Sequence, residues 1–303
     1  MYKKYILTVL SLTFFGIIQG QRYMGVNVDN DLYFGIDQYY SSGIFLEYGK
    51  VLKSKKDSID KDQVLVSHHW TLGQEINTPS YHQTSRLSKM DYPYSGWLFL
   101  RFFEDRFKKP DFGIGWGVEV GTTGADASLA RPIQNNYHKY ILNLNELSWA
   151  YSIPQQFHFN FQAKIRWGIP IIKRLKLVQE SRLDLGTFRT GASSRIGIQI
   201  GNLEGLPFFG NRLEIIKKGT ALFLGKIFHY NYYEYSLVGN LNTTNSPFDF
   251  VANKFVDTLQ AGIVFYSRLW RAHFVINSIS KRLVSERSNR HPYLNITLIR
   301  LIN

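Results

Sequence analysis

After residue 20, many segments of about ten residues alternate between apolar and polar positions. The clearest runs from Phe157 to Trp167, where the odd-numbered positions are apolar and the even-numbered positions are polar. The apolar positions are Phe157, Phe159, Phe161, Ala163, Ile165 and Trp167. A period of two residues predicts a β-strand with one apolar and one polar face.

Repetition of this pattern predicts an all-β fold, a transmembrane antiparallel β-barrel. Similar alternation recurs at 114–120, 195–200, 270–277 and 294–298. Lipid outside the barrel and a polar lumen inside account for all of these segments. Their spacing indicates about twelve strands, with residues 21–303 forming one barrel and the active-site loops at its extracellular rim.

The first twenty residues have the layout of a secretory signal peptide. Lys3 and Lys4 precede an apolar run from Ile6 to Ile18, and Gly20 supplies a small residue at the expected cleavage site. The apolar run is shorter than the ~20 residues that a membrane-spanning helix needs. Residues 1–20 are therefore predicted to direct export.

The amino-acid composition excludes several kinds of chemical site and of binding partner. The absence of cysteine excludes disulfides, a thiol nucleophile and cysteine-ligated zinc. A 16% aromatic content, with 19 Tyr and 22 Phe, is typical of the aromatic girdles of a membrane barrel. The net charge of +13 is scattered among aromatic strands, without a compact basic helix. This distribution favours lumen-facing charges or a surface facing anionic lipid, and no nucleic-acid partner is expected.

Counting strands from a periplasmic N-terminus predicts which positions meet at the extracellular rim. These positions are Asn30, Asp31, Tyr40, Ser41 and the long segment 122–146. The connection at Pro154 and Gln155 is expected on the periplasmic side, because periplasmic turns are short.

The segment 122–146 carries one candidate base. Gln134 and His138 are four residues apart, so they share a face if this stretch forms a short helix. A histidine presented in this way could take a proton from water. A solvated loop histidine is the alternative interpretation.

Acidic residues collect at the same predicted rim. Asp29, Asn30 and Asp31 are consecutive and Asp37 follows, and oxygen ligands of this kind suit calcium. Asn and Asp also favour ordinary turns, which is the alternative interpretation. A carboxylate that holds a cation, a histidine base and amide donors would together hydrolyse an ester. Ser41 or Ser42 as nucleophile ranks lower, because no GxSxG elbow surrounds either.

Three sequence blocks follow one another in the first half of the chain. The first is Asn30-Asp31, then Asp37 and Tyr40-Ser41-Ser42-Gly43. The second is Gly73-Gln74-Glu75 with Thr78-Pro79, followed by Asp91-Tyr92-Pro93-Tyr94-Ser95-Gly96-Trp97. The third is the segment 121–127 with Gln134-Asn135-Asn136-Tyr137-His138. Together these blocks resemble the lipid A 3-O-deacylase family of outer-membrane proteins.

The resemblance implies a twelve-stranded barrel that uses calcium to remove the ester-linked acyl chain at the 3′ position of lipid A. It implies His138 as general base and Asp31 as calcium ligand, with Asn30 and Gln134 as polar partners. Ser41 stands where the family generally has threonine, which keeps the hydroxyl. The segment between His138 and Asn145-Glu146 is shorter than is usual in the family.

The resemblance also implies a lipopolysaccharide substrate and an outer-membrane location, with the site facing the cell exterior. Arg86 and Lys89 are candidates for contacting a lipid A phosphate, with solvated charges as the alternative. Two other functions remain open on the sequence. One is a non-catalytic barrel, either a pore or a scaffold, and the other is a soluble barrel that binds a small apolar ligand.

Overall fold

The described residues form a closed antiparallel β-barrel. The computed structural model describes residues 21–53, 64–81, 83–109, 111–210, 213, 218–240 and 250–302. The predicted signal peptide, 1–20, lies outside the described residues. Within them, twelve strands pair in sequence order, and the first strand also pairs with the last. The strands are β1 (Arg22–Asn30), β2 (Tyr39–Lys53), β3 (Leu65–Thr78), β4 (Ser95–Lys109), β5 (Phe112–Thr123), β6 (Phe157–Ile172), β7 (Leu175–Gly186), β8 (Arg189–Gly201), β9 (Gly219–Glu234), β10 (Phe255–Tyr266), β11 (Trp270–Ser280) and β12 (Arg290–Ile302).

Helical segments lie in the connections between strands. Two α-helices, α1 (Ala130–Tyr140) and α2 (Tyr235–Val238), follow β5 and β9. Three single-turn 3₁₀ helices span Leu32–Phe34, Leu87–Lys89 and Pro207–Phe209. In the part of the chain that the structure describes, no helix has the length and apolar character needed to cross a membrane.

The predicted alternation is confirmed by the two faces of the barrel. On β6, Phe157 is 70% exposed on the outer surface, whereas the next residue, His158, is 1% exposed inside the barrel. Outward apolar side chains match a lipid surround, and the closed ring leaves no unpaired strand edge. The fold is therefore the expected twelve-stranded outer-membrane type.

Charged side chains fill the middle of the lumen as paired groups. Arg166 Nη1 lies 2.7 Å from Asp105 Oδ1, and Arg166 Nε lies 2.7 Å from Glu180 Oε2. On the neighbouring strands, Arg101 Nη2 lies 2.5 Å from Glu119 Oε2. Such pairing compensates the high cost of removing each charge from water. Many of the scattered charges are thus internal to the barrel.

Apolar groups fill the lumen near both ends. Between β8 and β9, Leu206, Phe208 and Phe209 fold into the barrel and pack against Phe223 and other inward-facing residues. Arg195 on β8 holds this segment through a 2.8 Å hydrogen bond from its Nη1 to the carbonyl oxygen of Phe208.

Near the opposite end, Trp97 stacks on Phe188 with ring centroids 4.1 Å apart. Phe99 and Tyr235 belong to the same buried cluster. The described residues therefore form a filled barrel rather than an open channel.

The expected position of Pro154 and Gln155 is wrong. Thr123, the last residue of β5, donates a 2.9 Å hydrogen bond from Oγ1 to the carbonyl oxygen of Pro154. No strand crosses the barrel between β5 and β6 in this fully described segment, so the chain leaves and returns at the same rim. Pro154 and Gln155 consequently lie at the end of the barrel that carries α1.

Candidate active site

The first part of the site is the tight loop that joins β1 to β2. Asn30, the last residue of β1, accepts a 2.7 Å hydrogen bond at Oδ1 from the backbone nitrogen of Leu32. The side chain of Asp31 is fully buried, and its Oδ2 accepts a 2.9 Å hydrogen bond from the backbone nitrogen of Gln38. The loop therefore closes around the Asp31 carboxylate.

An irregularity in β2 places Ser41 in the site. The pairing register of β2 with β3 shifts between Tyr40 and Ser42, so Ser41 has no pairing partner on β3. Bulges of this type redirect a side chain locally. The Ser41 side chain is buried, and its Oγ lies 3.4 Å from Gln134 Nε2 on α1.

Helix α1 brings the second pair of predicted residues to the same place. It lies close to the outer face of β4 because Gly96 has no Cβ, and a Cβ there would clash with Ser128 Oγ and Ala130 Cβ. One face of α1 buries Gln134 and His138, as their four-residue spacing predicts. The conditional prediction of a short helix in this loop is confirmed.

His138 is paired with an acidic residue from the β1–β2 loop. His138 is 3% exposed, and its Nε2 lies 2.8 Å from Asp37 Oδ2. A carboxylate at this distance would stabilise a positive charge on the imidazole. The sequence places Asp37 among the acidic residues at the rim and does not reveal this pairing, because the two residues are far apart in the chain.

These residues surround a cavity of about 510 Å³ between α1 and the outer face of β1 and β2. Its polar lining includes Asn30, Asp37, Ser41, Gln134 and His138. Its apolar lining is Val28, Leu32, Tyr33, Ile44, Ile76, Ile133, Tyr137 and Leu142. Val28 and Ile44 belong to the outward-facing positions of their strands, so the cavity lies on the lipid side of the barrel.

Asp31 lies behind this lining, and its carboxyl group has a raised pKa. Burial, with a smaller contribution from the Asp37 carboxylate, raises the pKa of Asp31 to about 9, although the hydrogen bond from Gln38 opposes the shift. Asp31 Oδ1 is buried without a hydrogen-bond partner among the described residues. His291 on β12 faces the same carboxylate, with its Nε2 3.6 Å from Asp31 Oδ2. No feature of the sequence points to this contact.

The donor set at this position fits calcium in chemical type. Asp31 Oδ1 and Gln134 Oε1 are buried and have no hydrogen-bond partner within the described ranges, and both are oxygens, which calcium prefers as ligands. Within the described ranges, no group of three or more His, Cys, Asp or Glu side chains is arranged to hold a metal. A calcium ion here would therefore need amide or backbone oxygens beside Asp31.

The structure brings all five sequence-predicted site residues together. Asn30, Ser41, Gln134 and His138 line the cavity, and Asp31 is adjacent to Asn30. Arg86 and Lys89 do not belong to the cavity lining and have exposed side chains beside the Leu87–Lys89 turn.

Comparisons with known proteins agree with this architecture. A family model described as "Outer membrane protein LpxR" matches residues 6–300. The solved structure of LpxR from Salmonella typhimurium aligns with a TM-score of 0.73 at 16% identity, over 92% of this chain and 99% of that chain. The translocator domain of the autotransporter NalP from Neisseria meningitidis aligns with a TM-score of 0.50 at 8% identity, over 99% of this chain and 94% of that chain. No curated protein matches the sequence.

At these low identities the structural likenesses show the fold alone, whereas the family model spans nearly the whole chain. The motif resemblance points to the same family as the model does. The chain therefore belongs to the LpxR family of outer membrane proteins, the lipid A deacylases.

Proposed function

We propose that this protein hydrolyses the ester that links an acyloxyacyl chain to the 3′ position of lipid A, with His138 as general base and calcium bound at Asp31. The observation that supports this most directly is the cavity lined by the His138–Asp37 pair, with the buried Asp31 directly behind its Asn30 wall. Such a constellation can activate water and stabilise an oxyanion in the same small volume.

The location of the cavity favours a lipid substrate. It lies on the outer side of the barrel, and exposed apolar side chains surround it, including Tyr33, Phe34, Ile133 and Tyr137. A glycolipid in the surrounding leaflet could reach this cavity without leaving the membrane. The acyl chain would then lie against the apolar lining while the ester lies next to His138.

The proposed orientation places the cavity at the cell exterior. At the end of the barrel opposite the cavity, β6 and β7 are joined by Lys173 and Arg174 alone, and β10 and β11 by Ser267, Arg268 and Leu269. Short turns are typical of the periplasmic end of outer-membrane barrels. The cavity would therefore face the outer leaflet, where lipopolysaccharide lies.

Hydrolysis then proceeds through residues of this chain. Asp37 Oδ2 lies 2.8 Å from His138 Nε2, where its negative charge would stabilise the imidazolium that forms when His138 takes a proton. His138 accepts a proton as water attacks the ester carbonyl carbon. When the carbon–oxygen bond to the sugar breaks, the proton passes to the leaving sugar oxygen, and the acyloxyacyl chain departs as a carboxylate whose acid proton is released to solvent.

Asp31 and the Asn30 amide account for charge stabilisation. Calcium, when bound, supplies the positive charge that stabilises the developing oxyanion. Asp31 would hold this ion through its unpartnered Oδ1. Because Asn30 Oδ1 already accepts from Leu32, the Asn30 side chain presents its amide N–H groups as donors to a ligand.

Water is favoured over Ser41 as the nucleophile. A serine nucleophile requires a base within hydrogen-bond reach. Ser41 Oγ lies 3.4 Å from Gln134 Nε2, and this amide is not a base. His138 is instead paired with Asp37. Ser41 is instead positioned to fix the Gln134 side chain.

An Asp37→Asn variant should retain the barrel but lose at least about tenfold in the deacylation rate. Asparagine keeps the size of the side chain and removes the charge that stabilises the imidazolium. The measurement is the initial rate of fatty-acid release by purified protein across a pH series. A rate and pH profile equal to those of the wild type would contradict the proposed role of Asp37.

A pore is the alternative function that the filled lumen disfavours. Phe208 and Phe209 fill it near one end and Trp97 and Phe188 near the other. Purified protein in planar lipid bilayers should therefore show no stepwise ion conductance. Stable conductance steps, with lipid A unchanged, would favour the pore.

A further inference from the structure

A second polar feature interrupts the lipid-facing surface, at a distance from the cavity. Lys226 on β9, Asp257 on β10 and Arg290 on β12, here called the outer triad, face outward. The same face of these strands carries exposed apolar residues, namely Leu224, Phe228, Phe255, Leu259 and Leu298. Ionisable side chains on such a surface are uncommon enough to indicate a binding role.

One carboxylate joins the two cations of the outer triad. Asp257 Oδ2 lies 2.9 Å from Arg290 Nη2 and 3.4 Å from Lys226 Nζ. Arg290 is fixed further by a 3.1 Å hydrogen bond from Nε to Ser278 Oγ. The cluster has a net charge of +1, and its side chains remain 34%, 27% and 40% exposed for Arg290, Asp257 and Lys226.

The triad lies toward the same end of the barrel as the cavity. Arg290 begins β12, and Asp257 is the third residue of β10, directly after the connections at that end. Lys226 lies midway along β9 and extends its ammonium group to within 3.4 Å of Asp257 Oδ2. Charged residues near the membrane interface cost far less free energy than charged residues at the midplane. Their side chains can therefore stay at headgroup depth and bind a charged lipid.

Neighbouring groups complete a surface suited to a phosphorylated glycolipid. Lys254, three residues before Asp257, is exposed and donates a 2.8 Å hydrogen bond from Nζ to the carbonyl oxygen of Tyr232. Tyr230 and Phe255 form a tilted aromatic pair with centroids 5.4 Å apart. Cations would face phosphate, and the aromatic rings would pack against the sugar and the adjoining acyl chains.

None of the three residues of the outer triad lines the catalytic cavity. Arg290 directly precedes His291, whose Nε2 lies 3.6 Å from Asp31 Oδ2. The two side chains lie on opposite faces of β12, and Arg290 pairs with Asp257 on the outer face. Lys226 lies on β9, which is separated from β12 by β10 and β11.

We propose that the outer triad binds a phosphate of a lipopolysaccharide molecule held as a boundary lipid in the outer leaflet, distinct from the substrate in the cavity. This inference rests on the proposed orientation of the barrel and not on the proposed reaction. Excess positive charge at headgroup depth complements the anionic phosphates of lipid A. The boundary lipid would occupy the surface beside the catalytic opening.

Native mass spectrometry of the full chain, released from detergent after incubation with diphosphorylated lipid A, tests the proposal. In a His138→Ala background, which keeps the substrate intact, we expect two bound lipids. Adding Lys226→Gln and Arg290→Gln should weaken binding of one lipid by about tenfold or more. The His138→Ala protein without the Lys226 and Arg290 substitutions should show the same loss of one bound lipid when the lipid A lacks both phosphates.

Arg300→Gln is the matched control, because Arg300 lies on β12 in the same alternation as Arg290 but near the opposite end. Equal lipid loss in this variant, or two lipids retained by the Lys226/Arg290 variant, would overturn the proposal.

In the background with His138 intact, the KM for dispersed lipid A should be unchanged by the Lys226/Arg290 substitutions. A severalfold rise in KM would show that the outer triad binds the substrate itself. These readouts remain informative if the protein proves to have no deacylase activity.

Discussion

A His138→Ala variant should fold as the wild-type barrel and deacylate lipid A at least about 100-fold more slowly. His138 is the histidine that lines the cavity, and alanine removes both the proton acceptor and its contact with Asp37. The measurement is the initial rate of acyl release from dispersed lipid A by purified protein. Folding is checked independently by the shift in electrophoretic mobility between heated and unheated samples.

Lys139→Ala is the control for this experiment because it changes the neighbouring residue of the same helix. Lys139 is exposed and forms a 2.9 Å ion pair with the equally exposed Glu146. Exposed pairs contribute little to stability, so the rate should stay within about twofold of wild type. Wild-type turnover by a folded His138→Ala protein would remove His138 from the mechanism.

Removing calcium should slow deacylation about as much as the His138→Ala substitution does. Chelation is expected to lower the wild-type rate by about 100-fold or more, because the oxyanion loses its main stabilising charge. Asp31→Asn should lower it comparably in saturating calcium. Asparagine retains an oxygen for the Gln38 hydrogen bond but carries no charge to hold the ion.

Calorimetric titration with calcium separates binding from catalysis. Wild-type protein should show a saturable calcium site that Asp31→Asn lacks. Asp126→Asn is the control, since Asp126 is an exposed carboxylate in the segment before α1 that pairs with Arg131. Calcium binding by Asp31→Asn equal to that of wild type, or full activity in chelator, would contradict the proposed role of Asp31.

The barrel could be predicted from sequence because its surroundings impose a simple pattern. Lipid on one side and a polar lumen on the other require strict alternation, as β6 shows. Strand ends were harder to predict. β4 extends to Lys109 through a charged sequence, because Asp105 lies inside the lumen and pairs with Arg166.

Site residues were predictable where local spacing carried the information. The interval between Gln134 and His138 fixes a shared helical face without knowledge of the rest of the molecule. The contacts of Asp37 and His291 depend on how distant segments meet in three dimensions. No local pattern encodes such meetings, so these two partners could be found only in the folded structure.

Connections between strands were the least predictable part of the fold. The expectation that Pro154 and Gln155 lie on the periplasmic side rests on the shortness of periplasmic turns, and it is wrong. In the structure, the backbone nitrogen of Ile153 instead bonds to the carbonyl oxygen of Tyr94 at 2.8 Å within the rim. Likewise, alternation does not reveal that Phe208 and Phe209 fold back into the lumen.

Mass spectrometry of lipid A from outer membranes that contain this protein is the most direct test of its proposed reaction. Compared with membranes from cells without the protein, lipid A should lose the mass of one acyloxyacyl group, and fragmentation should locate the loss at the 3′ position. Unchanged lipid A, in membranes where the folded barrel is present and calcium is supplied, would contradict the deacylase function.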